Sequence, residues 1–445
     1  MTHEDRPTGM LAFTVVWFGQ VISLLGTAMT GFALTIWVYQ VTGEASALAL
    51  VGIFSFAPTI LVSPIAGALV DRWNRKLTMM LSDLAAGLST AVVLLLFSTD
   101  NLQLWHLLAT GAFSGTFQAF QFPAYSAAIT TMLPKEQYGR ASGMLSMAQS
   151  ASTIFAPLLG AGLLTVIGIT GVLTIDIVTF LVAIGTLLVV HIPQPLATEA
   201  GREARGSIWK ESAYGFRYIV RRRSLLGLLL VFLSANLMLS FSNVVLPAMI
   251  LARTGNDEIA LGSVLSAFGV GGVLGSLLLS IWGGPKRRIH GVLTGITLAS
   301  LPFVLMGLGR SAPVWAMAAF STGFAIPIAQ GASQAIWQSK IAPDVQGRVF
   351  AARGVVARIS VPVSMMLAGP LADRVFEPSM MSGGALTATF GWLVGTGSGA
   401  GMALMFIISG VLGALVGLGG YVSRAVRDIE DILPDYDAEN EAQSS

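Results

Sequence analysis

Gly67-Ala68-Leu69-Val70-Asp71-Arg72-Trp73-Asn74-Arg75-Lys76 is a short charged break between two apolar stretches, 47–70 and 77–97. Each stretch has the ~20 apolar residues that an α-helix needs to cross a ~30 Å hydrocarbon core. A tight charged loop therefore joins two predicted membrane spans. Working outward in both directions, the alternation repeats. The first six apolar segments run 11–39, 47–70, 77–97, 103–131, 140–167 and 170–190. The second six run 224–252, 259–282, 289–308, 313–339, 348–371 and 399–422. The expected fold is an all-α polytopic membrane protein with twelve transmembrane helices.

Composition supports this reading. Of 445 residues only 11% are charged, against about 25% in soluble proteins. Hydrophobic residues make up 54%, and mean hydropathy is +0.75. So little charge cannot coat a soluble globule, and so much apolar content excludes disorder. There is no Cys, which excludes disulfide scaffolds and thiolate metal sites. The polar N-terminal ten residues precede an apolar block longer than a signal-peptide core, so the first span is expected to stay uncleaved.

Basic residues set the expected orientation. With the N-terminus in the cytoplasm, 20 of the 25 Lys and Arg fall on the cytoplasmic side, as the positive-inside rule requires. Arg253, Arg310 and Arg374 fall outside; Arg353 and Arg358 lie within a span. Both ends are expected inside a bacterial-type plasma membrane. The expected organisation is a six-helix bundle over 1–190, a linker over 191–223, a second bundle over 224–422 and an acidic cytoplasmic tail over 423–445. In the linker, Trp209, Ala213, Phe216 and Val220 recur at helical spacing, which suits an amphipathic helix on the inner leaflet or a plain connector. The tail is expected to be solvated and partly disordered.

The halves match at a constant shift of 208 residues: Gly67 with Gly275, Gly115 with Gly323, Gly139 with Gly347, Arg140 with Arg348. Pro134-Lys135-Glu136-Gln137-Tyr138-Gly139-Arg140 and Pro343-Asp344-Val345-Gln346-Gly347-Arg348 open equivalent spans. Two pseudo-symmetric bundles are the expected result, of the kind that rock about a central cavity.

The loop Gly67…Asp71-Arg72…Arg75-Lys76 resembles the Gly-x-x-x-Asp-Arg-x-x-Arg-Lys loop of the major facilitator superfamily, at the same place between spans two and three. The resemblance implies that fold over the whole chain, and a loop that latches the cytoplasmic side. Gly369-Pro370-Leu371-Ala372-Asp373-Arg374 and the opening Gln20…Ser23…Gly26 are similar to the branch of macrolide-efflux and siderophore-export proteins. Ala156-Pro157-Leu158-Leu159-Gly160 is a partial antiporter motif, with Ala in place of the first Gly. Span four carries Gly111 and Ala112 where many proton-coupled drug exporters carry an arginine.

Polar residues form stripes on single helical faces. They are Gln20, Ser23, Thr27 and Thr30 in span one; Ser114, Gln118, Gln121 and Tyr125 in span four; Asn236, Ser240 and Asn243 in span seven; and Gln330, Gln334 and Gln338 in span ten. Amides facing lipid lack partners, so these faces are expected inward, as substrate contacts or as interhelical hydrogen bonds. Spans two and five also carry hydroxyl stripes, so the signal is not exclusive. Trp37, Phe117, Phe120, Tyr125, Phe324 and Trp337 are aromatic cavity candidates. Asp83, Asp176, Arg353 and Arg358 lie within spans, where each charge costs about 2.5–3.5 kcal/mol and needs a reason. Each is a candidate for proton transfer or for a structural ion pair.

Absences narrow the field. There is no Walker A sequence, the four His are scattered, and Gly395–Ala400 follows no βα unit. No enzyme, cofactor, metal site or nucleic-acid partner is expected. The expected function is secondary export of hydrophobic or amphipathic molecules, drug, macrolide or siderophore-like, by alternating access in exchange for protons. A lysophospholipid flippase and a non-transporting membrane sensor are the alternatives. The expected partners are substrate, protons and membrane lipid, and the expected state is a monomer.

Overall fold

The computed structural model describes residues 9–70, 73–134, 137–192, 216–341 and 343–434. Nearly all of them are helical, and among the described residues there is no strand. The helices are α1 Gly9–Thr42, α2 Ala45–Val70, α3 Arg75–Ser98, α4 Leu104–Met132, α5 Tyr138–Val189, α6 Arg223–Thr254, α7 Glu258–Trp282, α8 Arg288–Leu308, α9 Ala312–Lys340, α10 Pro343–Leu371, α11 Thr387–Val394 and α12 Ala400–Val422. Ten helical stretches among the described residues are long and apolar enough to cross a membrane.

α5 has 52 residues, which would extend about 78 Å if straight, more than twice a bilayer core. It is broken at Gly168, whose φ of 64° and ψ of −176° are open to glycine alone. Predicted spans five and six thus meet at a single residue, with no loop between them.

The chain divides into two compact units. The first comprises Met1–Thr198 with Asn256–Ser266, the second Glu199–Gly255 with Ala267–Ser445. In the first, α1 packs on α5, α2 on α4, and α3 on both α4 and α5. Phe13, Val16, Met79, Ala124, Ala128 and Leu187 form part of its buried core. In the second, α8 packs on α9 and α12, and α6 on α10 and α12. Its largest cluster joins Leu225, Leu228, Ile289, Val292, Ile336 and Trp337.

Two glycines paired by the internal repeat do the same work in each unit. A Cβ on Gly115 of α4 would overlap the Ser55 carbonyl oxygen of α2, and one on Gly323 of α9 would overlap the Phe268 carbonyl oxygen of α7. Backbone therefore lies against backbone, as small residues permit in membrane bundles. Gly115→Val and Gly323→Val should each cost 3 kcal/mol or more, on the order of severe overpacking, because a main chain cannot step aside as a side chain can. Thermal melting of the purified protein would show this; an unchanged midpoint would mean that the helices separate freely.

The tail departs from the sequence expectation. Arg424–Arg427 and Ile429–Ile432 form two helical turns, with Val426 and Ile429 buried in the second unit's core. Glu430 Oε2 accepts the Ile289 amide at 3.0 Å, the Lys340 ammonium donates to the Glu430 carbonyl at 2.9 Å, and Arg287 pairs with Asp431 at 2.6 Å. A bidentate contact from Arg427 holds the Asp428 carboxyl below its ordinary range. Val426, Ile429 and Leu433 lie three and four residues apart, an apolar stripe within the acidic run that anchors it. Residues 435–445 lie outside the described residues, as do Trp209 and Ala213 of the linker; Phe216 and Val220 are helical and exposed.

Candidate functional site

Span one carries its polar residues along one face, and two buried carboxyls meet that face. Gln20 donates from Nε2 to Oδ2 of Asp83 at 2.8 Å, and Gln121 donates from Nε2 to Oδ1 at 2.9 Å. The same Gln121 nitrogen also donates to Oε1 of Gln20 at 2.8 Å. Three helices, α1, α3 and α4, thus converge on one acid, which is 8% exposed. Tyr125, one turn beyond Gln121, is buried and stacks on Phe13 with centroids 6.4 Å apart. Its hydroxyl and the Gln121 carbonyl oxygen are buried without a partner.

Asp176 lies on the second arm of α5 and is 2% exposed. Thr27 donates to its Oδ1 at 3.2 Å and Thr90 to its Oδ2 at 2.9 Å. Gly26 packs against it and its neighbour, since a Cβ there would overlap the Thr179 hydroxyl first and stand 3.0 Å from Oδ1. The two acids share a register. Gln20 to Thr27 on α1 and Asp83 to Thr90 on α3 are both seven-residue steps, two helical turns or about 10 Å. Neither acid forms an ion pair among the described residues. A cleft of about 460 Å³ reaches Asp176 past Thr27, Ser55, Thr90, Ser114 and Gln118. Ser23 is buried between Gln20 and Thr27 on the α1 face.

The second unit holds the complementary arrangement. A cleft of about 580 Å³ is lined by Asn236 of α6, Ser276 and Ser280 of α7, Gln330 and Gln334 of α9, and Arg353 of α10. That volume falls within the range of small-molecule sites. Arg353 donates from Nη1 to Oε1 of Gln334 at 2.8 Å. Its guanidinium carbon lies 5.4 Å from the Trp337 ring centre and 5.9 Å from that of Phe232. Trp337 is 1% exposed and belongs to the core behind the cleft. Asn243 and Arg358 are exposed and line neither cleft.

The other aromatic candidates each pair with a different aromatic ring: Trp37 with Phe97, Phe117 with Phe113, Phe120 with Trp73, and Phe324 with Phe320. Each pair lies within one unit.

The charged loop between α2 and α3 is partly described. Gly67 lies within α2, and Asp71 and Arg72 fall outside the described residues. Asn74 caps α3 by accepting the Leu77 amide at 3.1 Å. Arg75 is buried. Lys76 donates to the carbonyls of Leu188 at 3.1 Å and Val190 at 2.8 Å. A cation on the last carbonyls of α5 satisfies their lone pairs and complements the helix dipole.

Two groups outside the sequence reading of the site tie helix ends together. Arg253 donates to the carbonyls of Gly399 at 3.2 Å, Gly309 at 2.9 Å and Val394 at 2.6 Å. Glu377 accepts the amides of Gly399 at 3.0 Å and Met402 at 2.8 Å, capping α12. It follows directly on a π-helical turn at Ala372–Phe376, which coincides with the second Asp373-Arg374 motif. An arginine on the side that the positive-inside rule leaves bare was the available signal for Arg253.

The family model for the Major Facilitator Superfamily matches residues 16–365. The chain belongs to the major facilitator superfamily. Macrolide efflux protein A of Streptococcus pyogenes is 25% identical over 367 residues, covering 82% of this chain and 90% of that protein. Multidrug efflux pump Tap of Mycolicibacterium fortuitum is 27% identical over 389 residues, covering 84% and 91%. Among solved structures, an inward-facing, unoccupied bacterial homologue of the human lysosomal transporter Spinster superposes with a TM-score of 0.71 at 14% identity, covering 92% of this chain and 96% of that one. As the superfamily and these relatives indicate, the protein is a multi-pass membrane transporter of small molecules.

Proposed function

We propose that the chain exports hydrophobic or amphipathic small molecules by alternating access, in exchange for protons. It does so as a monomer in a bacterial-type plasma membrane, with both ends cytoplasmic. The names of its efflux relatives and the distribution of its Lys and Arg support the direction and the orientation.

The carrying observation is the pair of carboxyls in one unit, each held, among the described residues, by neutral donors. A carboxylate buried without a cation is costly, and a proton removes that cost. The hydrogen-bond chemistry allows both states. An ionised Asp83 accepts from both amides, whereas a protonated one must donate. A flip of the Gln121 amide turns its unpartnered oxygen into the acceptor. At Asp176 the threonine hydroxyls rotate to the same effect. Protonation thus changes side-chain orientation where α1, α3, α4 and α5 meet.

The test uses purified protein in proteoliposomes with an acidic lumen and a fluorescent amphipathic dye outside. Dye accumulation that stops on adding a protonophore, together with dye-dependent loss of the pH gradient, is the expected result. Dye movement indifferent to the gradient would overturn proton exchange.

A further inference from the structure

We infer that the cleft of the second unit binds the anionic end of an amphipathic substrate through Arg353. This rests on the transport reading above and specifies the substrate class of that site. A guanidinium cannot shed its proton, so Arg353 remains a cation inside a membrane span. Membrane arginines are ordinarily neutralised by an acid, yet no described carboxylate forms an ion pair with Arg353. Of its five N–H donors, one meets Gln334 at 2.8 Å and another reaches the Ser333 hydroxyl at 3.5 Å.

The guanidinium carbon also lies over the Trp337 and Phe232 rings, 5.4 and 5.9 Å from their centres, within cation–π reach. Arg353 lines a cleft of about 580 Å³. A planar fork of N–H groups matches a carboxylate or phosphate through two parallel bonds. Asn236 and Gln330 line the same cleft with further amides, and Leu229, Leu233, Leu279 and Val356 line it with hydrocarbon. Charge recognition at one end and hydrocarbon at the other describe an amphipathic oxyanion.

The experiment compares four probes on the full-length protein in lipid nanodiscs, with empty nanodiscs as blanks: 2-naphthoate, 2-naphthyl phosphate, 2-naphthylmethylammonium and inorganic phosphate. Titration calorimetry should show both naphthyl anions binding about tenfold or more tightly than the ammonium, on the scale of one bidentate charge-assisted contact. Arg353→Gln should erase that preference. Arg353→Lys, which keeps the charge and loses the fork, should retain part of it. If Arg353→Gln fails to fold by circular dichroism, Gln334→Leu, which frees a guanidinium N–H from the amide, should raise the affinity for both anions relative to the ammonium. Equal binding of anions and cation by the unaltered protein, or a preference that survives Arg353→Gln, would overturn the inference. Inorganic phosphate binding as tightly as naphthyl phosphate would overturn its amphipathic half. Dye transport without anion preference would defeat this inference alone, and anion preference without any flux would defeat the transport reading alone.

Discussion

Asp83→Asn should reduce gradient-driven transport to about one hundredth of the unaltered rate, the scale on which removing an obligatory proton acceptor slows a reaction. The replacement is nearly isosteric. Its oxygen can still accept from Gln20 or Gln121, which now stand 2.8 and 2.9 Å from the carboxylate. Folding and substrate binding should therefore survive. Only the step that requires a change of charge should fail. Exchange of labelled for unlabelled substrate across the same membrane, with no gradient imposed, should continue. Asp176→Asn should behave alike, since Thr27 and Thr90 bond an amide oxygen as readily. The decisive measurement is the double variant. Gradient dependence that is unchanged in Asp83→Asn/Asp176→Asn would remove both acids from the mechanism.

Arg253→Ala, in the last turn of α6, should produce the largest loss of stability among single side-chain truncations at the helix ends. The guanidinium joins the carbonyl of Gly309, just after α8, to those of Val394, the last residue of α11, and Gly399, just before α12. Net charge-assisted hydrogen bonds contribute about 1.5–3 kcal/mol each. Because Arg253 is half-buried, water recovers part of that, and a loss of about 3 kcal/mol is expected. For a unit of this size the thermal midpoint should fall by about 6–12 °C. Arg253→Lys should lie between the two, since an ammonium has the charge but not the span to reach three acceptors. A midpoint within 1 °C or so of the unaltered protein would mean that the loops hold each other without the clamp.

The sequence exposes the helices well and the site less completely. Apolar runs such as 47–70 and 77–97 read directly as α2 and α3, because hydropathy is a local property. The stripes are legible for the same reason: Gln20 and Thr27 share a face through helical spacing alone. Their partners are not local. Gln20 and Asp83 are 63 residues apart, and Thr27 and Asp176 are 149 apart. Single-helix periodicity shows that each must meet something and cannot show what. Arg353 and Arg358 look alike in sequence, yet one lies in a cleft beside Gln334 and the other is exposed. Five residues along a helix turn a side chain well over a quarter-circle around the axis. The tail illustrates the opposite limit. Its acidic composition suggests solvation, while three apolar residues at helical spacing decide its packing.

The seven-residue step shared by α1 and α3 also has an electrical consequence. About 10 Å is roughly a third of the hydrocarbon thickness across which a transmembrane voltage drops. A proton handed from one acid to the other along the membrane normal would feel on the order of 0.8 kcal/mol per 100 mV, a third of the full charge movement. Turnover by this protein would then respond to voltage as well as to acidity, and part of that response would originate within a single bundle.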